Sequence, residues 1–453
     1  MSKTIKLRKG LNINLLGEAS KVKNAVDQSD MFSIKPPDFH GVTPKMVVKA
    51  GDKVKAGDVI FFNKYQEEIK FLSPVSGEIQ EIVRGEKRRI LEILISADST
   101  IEYTDLGTKN PESMSADEVK SHVLASGLWP FIKMRPCDVI AKPTDVPKAI
   151  FISAFDSSPL APDYDFALHG EDKNFQNGIN ILKQLTTGKV HLTTNGSGNP
   201  DAVFTSATGV EKNTISGKHP VGNVGTQIHH IDPINKGEVV WTVNAQDVVM
   251  MGRVFTTGKF DLSKVIALTG SEIINPKYIK TIVGTSVKNI LADAINGDNY
   301  RVISGNVLTG DKISDNGYLG YYDSQITVIP EGNEPMFSFT KGWLGLGFNK
   351  FSVNRTYFSW LTPNKKRKLD TNLNGEIRSF VMTGEMEKVF PFDIYPMHLI
   401  KSVMYNDLDE MESLGIYEVA PEDFALCEFV CTSKVDIQDV IRKGLDEVYS
   451  ECL

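Results

Sequence analysis

Residues 216–253 read SGKHPVGNVGTQIHHIDPINKGEVVWTVNAQDVVMMGR, and the architecture follows from the changes of texture inside this stretch. Gly217, Pro220, Gly222 and Gly225 mark a backbone that turns sharply and lets another group approach closely. Gly237 ends that loop region. Val239, Val240, Trp241 and Val243 then form a short apolar run, which reads as a buried strand. From Asn244 to Arg253 the spacing becomes helical. No complete catalytic motif lies in this stretch. The whole chain likewise lacks H-E-x-x-H, C-x-x-C, H-x-H, G-x-S-x-G and Walker spacings.

The 453 residues suffice for about three or four domains, and 41% hydrophobic content is that of an ordinary globular chain. A net charge of −7 argues against a general nucleic-acid binder. Four cysteines in so long a chain argue against a disulfide scaffold and fit a reducing compartment. The basic start, MSKTIKLRKG, has no apolar run behind it and does not read as a signal peptide. No window approaches the roughly 20 apolar residues that span a bilayer, so any membrane link is expected to come through a partner.

Upstream, Val42 to Ile90 contains an internal two-fold pattern: KMVVKAGDKVKAGDVIFFNK, then IKFLSPVSGEIQEIVRGEKRRI. Gly51-Asp52, Gly57-Asp58, Pro74 and Gly77 supply turns between short alternating strands. The pattern resembles the barrel-sandwich hybrid fold of biotinyl and lipoyl domains. Lys64, at the expected hairpin tip, lacks the flanking signature of a carrier lysine and reads as a solvated turn residue. The polar stretch 101–115 reads as a linker, with Pro111 and Glu112 opening a helix. Strands are expected at Val146–Ala154 and Val190–Thr193 and a helix at Asn174–Leu185, which makes 101–255 a Rossmann-like α/β domain. Downstream, VIALTG, KTIVGTSV, RVISGNVLTG and QITVIPEG are short strands between glycine turns. They resemble the soluble-ligand-binding β-grasp (SLBB) module. Helical patterns follow at Pro396–Leu408 and Ile437–Tyr449. The basic run Asn364 to Leu369 reads as a solvated loop; its sharper alternative is an anionic partner or membrane surface. The expected organisation is therefore 1–100 barrel-sandwich hybrid, 101–255 Rossmann-like, 256–335 SLBB β-grasp and 336–453 mostly helical.

Taken together, residues from roughly 1 to 445 resemble the A-subunit family of the Na+-translocating NADH:quinone reductase (Nqr), most specifically in 216–253 and in the barrel-sandwich repeat. The architecture is also similar to the C subunit of the Rnf complex and to the flavin subunit of respiratory complex I. The resemblance implies a peripheral subunit on the cytoplasmic face of the bacterial inner membrane. Its partners would be the membrane-integral and flavin-bearing subunits of a complex that oxidises NADH, reduces quinone and exports Na+. The isolated chain is not expected to be catalytic.

Those relatives carry flavin on a loop of the form G-x-G-G-A-G-F-P. The matching stretch here is Ala125-Ser126-Gly127-Leu128-Trp129-Pro130-Phe131, where bulky groups replace glycines and Pro130 removes an N–H donor. Their second loop, E-x-E-P, corresponds to Asp156-Ser157-Ser158-Pro159, followed by Asp163, Tyr164 and Asp165, with one carboxylate lost. An iron–sulfur cluster normally needs four Cys thiolates; Cys427, Cys431 and Cys452 fall short and read as apolar cysteines. FMN and an iron–sulfur cluster are therefore expected to be absent. His169, His219, His229 and His230 show no metal spacing, and on a strand His229 and His230 would point to opposite faces, so no metal site is expected. What remains is GLWPFIKMRP: Trp129 and Phe131 offer apolar faces, and Lys133 and Arg135 offer donors. A quinone head group uses that combination. The resemblance places quinone contacts here and around Asp38, Phe39 and His40. The alternatives are that Trp129 and Phe131 simply fill the vacated flavin pocket, and that the chain is a docking and assembly subunit with no ligand.

Overall fold

The computed structural model describes residues 2–25, 29–333, 346–353 and 355–452, with Ala25 and Cys452 described by backbone alone. The expected boundary at 335/336 lies outside the described residues.

The first two strands leave the barrel sandwich. Strand β1 (Thr4–Lys6) and β2 (Ser20–Ala25) pair with sheets formed much later in the chain, so the N-terminal segment is a strap across three domains. The barrel sandwich itself is built from β3 (Met31–Ile34), β4 (Pro44–Met46), β5 (Lys53–Val54), β6 (Val59–Asn63), β7 (Gln66–Leu72), β8 (Gly77–Arg84) and β9 (Ile90–Ala97). One sheet has the order β3-β9-β8-β5 and the other β4-β6-β7. Ile60, Ile69, Ile79, Ile93 and Ile95 fill the space between them. Lys64 sits at the β6–β7 hairpin tip with its ammonium 5.5 Å from the Tyr65 ring centroid.

A 3-10 turn, Pro111–Ser113, stands where a helix was expected to open. The first true helix, α1 (Ala116–Ala125), starts later because Ser115 and Glu118 form a reciprocal capping box. The α/β domain continues through β10 (Lys133–Arg135), β11 (Val139–Ile140), β12 (Ala149–Ser153), α2 (Tyr164–Ala167), α3 (Asp172–Gln184), β13 (Lys189–Asn195), α4 (Ala202–Thr205), β14 (Glu211–Ser216), α5 (Val224–Ile231), β15 (Val240–Asn244) and α6 (Ala245–Thr257). The sheet order is β1-β14-β13-β12-β15-β10-β11, parallel from β1 to β15 and antiparallel beyond. Helix α5 covers one face through Ile228 and Ile231; α3 and α6 cover the other. The latter two cross so closely that a Cβ on Gly252 would lie 1.9 Å from the Asn174 carbonyl oxygen. From β12 the chain adds strands to one side, then returns to place β15 on the other. The crevice beyond the C-terminal ends of β12 and β15 is thus a topological switch point, where open α/β sheets bind ligands.

The third domain has β16 (Ser263–Thr269), β17 (Lys277–Ile282), the short helix α7 (Lys288–Leu291), β18 (Tyr300–Ser304), β19 (Asp311–Ile313) and β20 (Gln325–Pro330). Its sheet order is β19-β18-β20-β16-β17-β2, over its own core of Ile266, Leu268, Ile279, Ile326 and Val328. In KTIVGTSV only the first residues are strand, because Gly284 at φ 76° turns the chain. The regular C-terminal helices begin at α8 (Met386–Val389) and continue as α9 (Pro396–Met404), α10 (Leu408–Ser413), α11 (Ala425–Val430) and α12 (Ile437–Cys452). The helix expected through Leu408 ends at Met404, and Asp407 caps the next one. Before Met386 the described residues are irregular apart from one 3-10 turn.

Candidate functional site

A cleft of about 250 Å³ opens at the switch point. The α/β sheet contributes Ser153, Asp156, Val243 and Asn244 to it, and the β10 hairpin contributes Phe131, Lys133, Arg135 and Asp138. The SLBB domain adds Leu308 and Tyr322, and the C-terminal domain adds Glu422. A site walled by three domains is invisible to any local pattern.

The two stretches singled out in the sequence meet at Tyr321 and Tyr322. Phe131 stacks on Tyr321 with ring centroids 5.1 Å apart, and Phe39 meets the same ring edge-on at 4.7 Å. Asp38 accepts a hydrogen bond from the Tyr321 N–H at 2.8 Å. Desolvation raises the Asp38 carboxyl to about 6. Phe39 also packs on Phe71 inside the barrel, one layer behind the cleft wall. His40 points elsewhere, its Nε2 2.7 Å from Asp446 of α12. Trp129 does not line the cleft: it is fully buried, packs edge-on against Trp241, and donates from its indole N–H to the Ala141 carbonyl at 2.7 Å. Phe131, Lys133 and Arg135 do line it.

Arg135 is buried and doubly paired. Nη1 donates to Asp423 Oδ2 at 2.8 Å and Nη2 to Glu422 Oε1 at 2.5 Å. Burial works against the guanidinium charge, but Asp423 and Glu422 more than offset it and hold the group protonated. Burial pushes both partners' carboxyl groups up, Glu422 to about 7, with Arg135 opposing. Asp423 also presses on the first turn of α5, where a Cβ on Gly225 would lie 2.5 Å from its carboxylate oxygens. A helix N-terminus favours a negative charge there. Glycine at 225 is what admits it.

Lys133 and Asp247 are different, because neither side chain makes a hydrogen bond or ion pair among the described residues. The Lys133 ammonium lies 4.3 Å from the Tyr322 ring centroid. Asp247 stands in the first turn of α6, buried, and desolvation raises its carboxyl to about 7 against the charges of Lys264 and Lys133. Asp138 goes the other way: against the penalty of burial, Lys133, Arg135 and Arg442 hold it down at about 2. His219 lies at the rim, its Nδ1 3.0 Å from Ser157 Oγ. The same Ser157 hydroxyl accepts from the Gly222 N–H at 2.8 Å. Desolvation lowers His219 to about 4, so it is neutral at ordinary pH.

Sequence reasoning missed Asp247, Tyr322, Asp138 and the Glu422–Asp423 pair. Asp247 had a signal: it falls on the helix face that Val248 and Met251 bury, where a carboxylate is out of pattern. His229 and His230 lie on α5 rather than a strand; His229 bonds Glu418 and the Asp393 N–H, and His230 the Pro391 carbonyl. Cys427 and Cys431 are free and buried, and burial raises the Cys427 thiol well above its ordinary value. The Cys452 side chain lies outside the described residues. Among the described residues no group of three or more His, Cys, Asp or Glu side chains is placed to hold a metal.

Comparison with known proteins decides the family. A family model described as the NqrA N-terminal barrel-sandwich hybrid domain matches residues 5–98, and the NqrA second alpha/beta domain matches 114–260. A third, the NQRA C-terminal domain of SLBB type, matches 265–315. A Neisseria meningitidis serogroup A protein, named as the A subunit of the Na(+)-translocating NADH-quinone reductase, is 36% identical, covering 99% of this chain and 100% of its own length. The chain belongs to the NqrA family. Proteins of the same name from a Marinomonas species and from Yersinia pestis are each 34% identical, over 98% and 99% of this chain and 99% and 100% of their own lengths. A solved NAD+-reducing [NiFe]-hydrogenase aligns at a TM-score of 0.39 and 10% identity, over 78% of this chain and 67% of that one, too weakly to bear on the NqrA fold. Among the described residues no helix is long and apolar enough to cross a membrane.

Proposed function

We propose that this chain serves as the A subunit of a Na+-translocating NADH:quinone reductase and receives a quinone head group in the switch-point cleft. It would sit peripherally on the cytoplasmic face, held by the membrane-integral and flavin-bearing subunits. One observation carries the ligand reading: among the described residues the Lys133 and Asp247 side chains both lack a hydrogen-bond partner, and they line an aromatic-walled cleft. At neutral pH Asp247 is protonated in a large fraction of molecules, so both groups donate, which suits a ligand with two carbonyl oxygens and no charge. Phe131 and Tyr322 supply the apolar faces, while Asp38 and Phe39 hold the Tyr321–Tyr322 pair in place from behind. Trp129 supports the β10 hairpin.

The same geometry fits the expectation of no FMN on this chain. Leu128, Trp129 and Pro130 are buried side chains where a phosphate loop would need bare backbone. A phosphate at the α5 N-terminus would meet the Asp423 carboxylate. Equilibrium binding of a short-tail quinone to the full chain tests the proposal. Saturable binding is expected, weakened about tenfold or more by Phe131→Ala and by Lys133→Ala. Binding unaffected by either would remove quinone from this cleft. The docking reading keeps one specific support, that both Arg135 Nη groups are committed to Glu422 and Asp423. It predicts no quinone binding by the isolated chain and loss of complex assembly when that pair is broken.

A further inference from the structure

The chain carries a net charge of −7, yet residues 346–369 contain six Lys or Arg and no Asp or Glu. The same stretch holds Leu346, Phe348, Phe358, Trp360 and Leu361, each between 42% and 62% exposed. These side chains form one patch. The Phe358 N–H donates to the Leu346 carbonyl at 3.1 Å, and the Phe348 and Phe358 rings are 5.9 Å apart. Lys365 donates to Asn349 at 3.2 Å, and the Arg355 guanidinium lies 5.2 Å from the Trp360 ring. Buried Arg367 holds the loop in shape by donating from Nη2 to the Ser359 and Thr362 carbonyls at 2.8 and 2.9 Å. Its backbone is pinned to the N-terminal strap at Asn14 and Leu16. Lys366 and Lys368 are paired with Glu18 and Glu272 but remain about half exposed, while Lys350, Arg355 and Lys365 face no carboxylate among the described residues.

Exposed aromatic and aliphatic tips interleaved with cations, free of acidic residues, are what an anionic bilayer surface takes up: rings enter the headgroup level while lysines stay in the charged layer. The described residues of the patch form no strand or α-helix, only one 3-10 turn at Phe358–Leu361, so they present no regular face to a protein partner. We propose that the 346–369 loop docks directly on an anionic phospholipid surface, with Phe358, Trp360 and Leu361 inserted and Lys350, Arg355 and Lys365 in the headgroup layer. This contact is independent of what the cleft binds.

Flotation of the purified full chain with phosphatidylglycerol/phosphatidylethanolamine vesicles, against phosphatidylcholine vesicles, tests it. Binding to the anionic vesicles is expected, at least tenfold weaker to neutral ones and falling at high salt. Phe358→Ala with Trp360→Ala should weaken it at least tenfold. Lys350→Gln and Lys365→Gln should each cost about fivefold, and Lys64→Gln in the distant hairpin nothing. Unchanged quinone binding or thermal unfolding of the variants shows that they are folded. Failure of the wild-type chain to bind anionic vesicles, or equal binding by the aromatic variant, overturns the proposal. If vesicle binding is nil and the same variants lose co-purification with the membrane-integral subunits, the patch is a protein interface instead.

Discussion

The barrel sandwich and the switch-point cleft are built to opposite rules. In the barrel the interior is apolar, Phe61 and Phe71 stack 4.4 Å apart, and Ser33 Oγ is its single buried polar side-chain atom without a hydrogen bond among the described residues. Around the cleft, Arg135 Nε, Ser158 Oγ, Gln227 Oε1 and Asp423 Oδ1 are all buried and unpaired, beside a buried carboxyl and a free ammonium. Unsatisfied buried polar groups cost stability, and the surroundings of the cleft carry more of them than the barrel interior does.

The largest expected effect comes from the cleft's buried ion pair. Arg135→Leu leaves Asp423 buried and unpaired and should destabilise the chain by about 3–5 kcal/mol in urea unfolding. A loss no larger than that of a surface substitution would erase the contrast between the two regions. Next is pH. Asp247 binds its proton more tightly folded than unfolded, so its contribution to stability is present below the unfolded carboxyl range and is lost as pH rises toward 7. Asp247→Asn should flatten that fall by at most about 4 kcal/mol across pH 4–7, read from melts at each pH. Glu422 and Asp38 titrate in the same sense and will leave a residual slope.

Trp129→Phe separates wall from support. Losing the indole bond to Ala141 should cost about 1–2 kcal/mol while leaving quinone affinity within about twofold. A large affinity loss at unchanged stability would put Trp129 in the site. The smallest effect is expected at the barrel tip: Lys64→Ala should shift stability by no more than about 0.5 kcal/mol.

Much of this was legible from local texture. The apolar runs at Val146–Ala154 and Val239–Val243 announced buried strands, found at Ala149–Ser153 and Val240–Asn244, and the helical pattern from Asn244 announced α6. The glycine turns of 42–90 announced the barrel. Helix boundaries shifted where capping competed with periodicity, as at Ser115 and Asp407. The β1 and β2 pairings were not legible, since a three-residue TIK carries no statement of its partner. Of the residues expected at a quinone, Phe131 and Lys133 reach the cleft, Trp129 and Phe39 stand behind it, and Arg135 is engaged by the C-terminal domain.

The sequence by itself determined the family, the kinds of layers and the weakness of the flavin and cluster motifs, because periodicity, turn residues and ligand spacing are local properties. Tertiary structure alone decided which side chains face the cleft. Arg135 is paired and Lys133 is free because Glu422 and Asp423, almost 300 residues away in sequence, reach one and not the other. Asp247 is a candidate donor because its burial at the cleft disfavours the ionised form. Desolvation and long-range pairing depend on what surrounds a residue, and no reading of its neighbours in sequence supplies that.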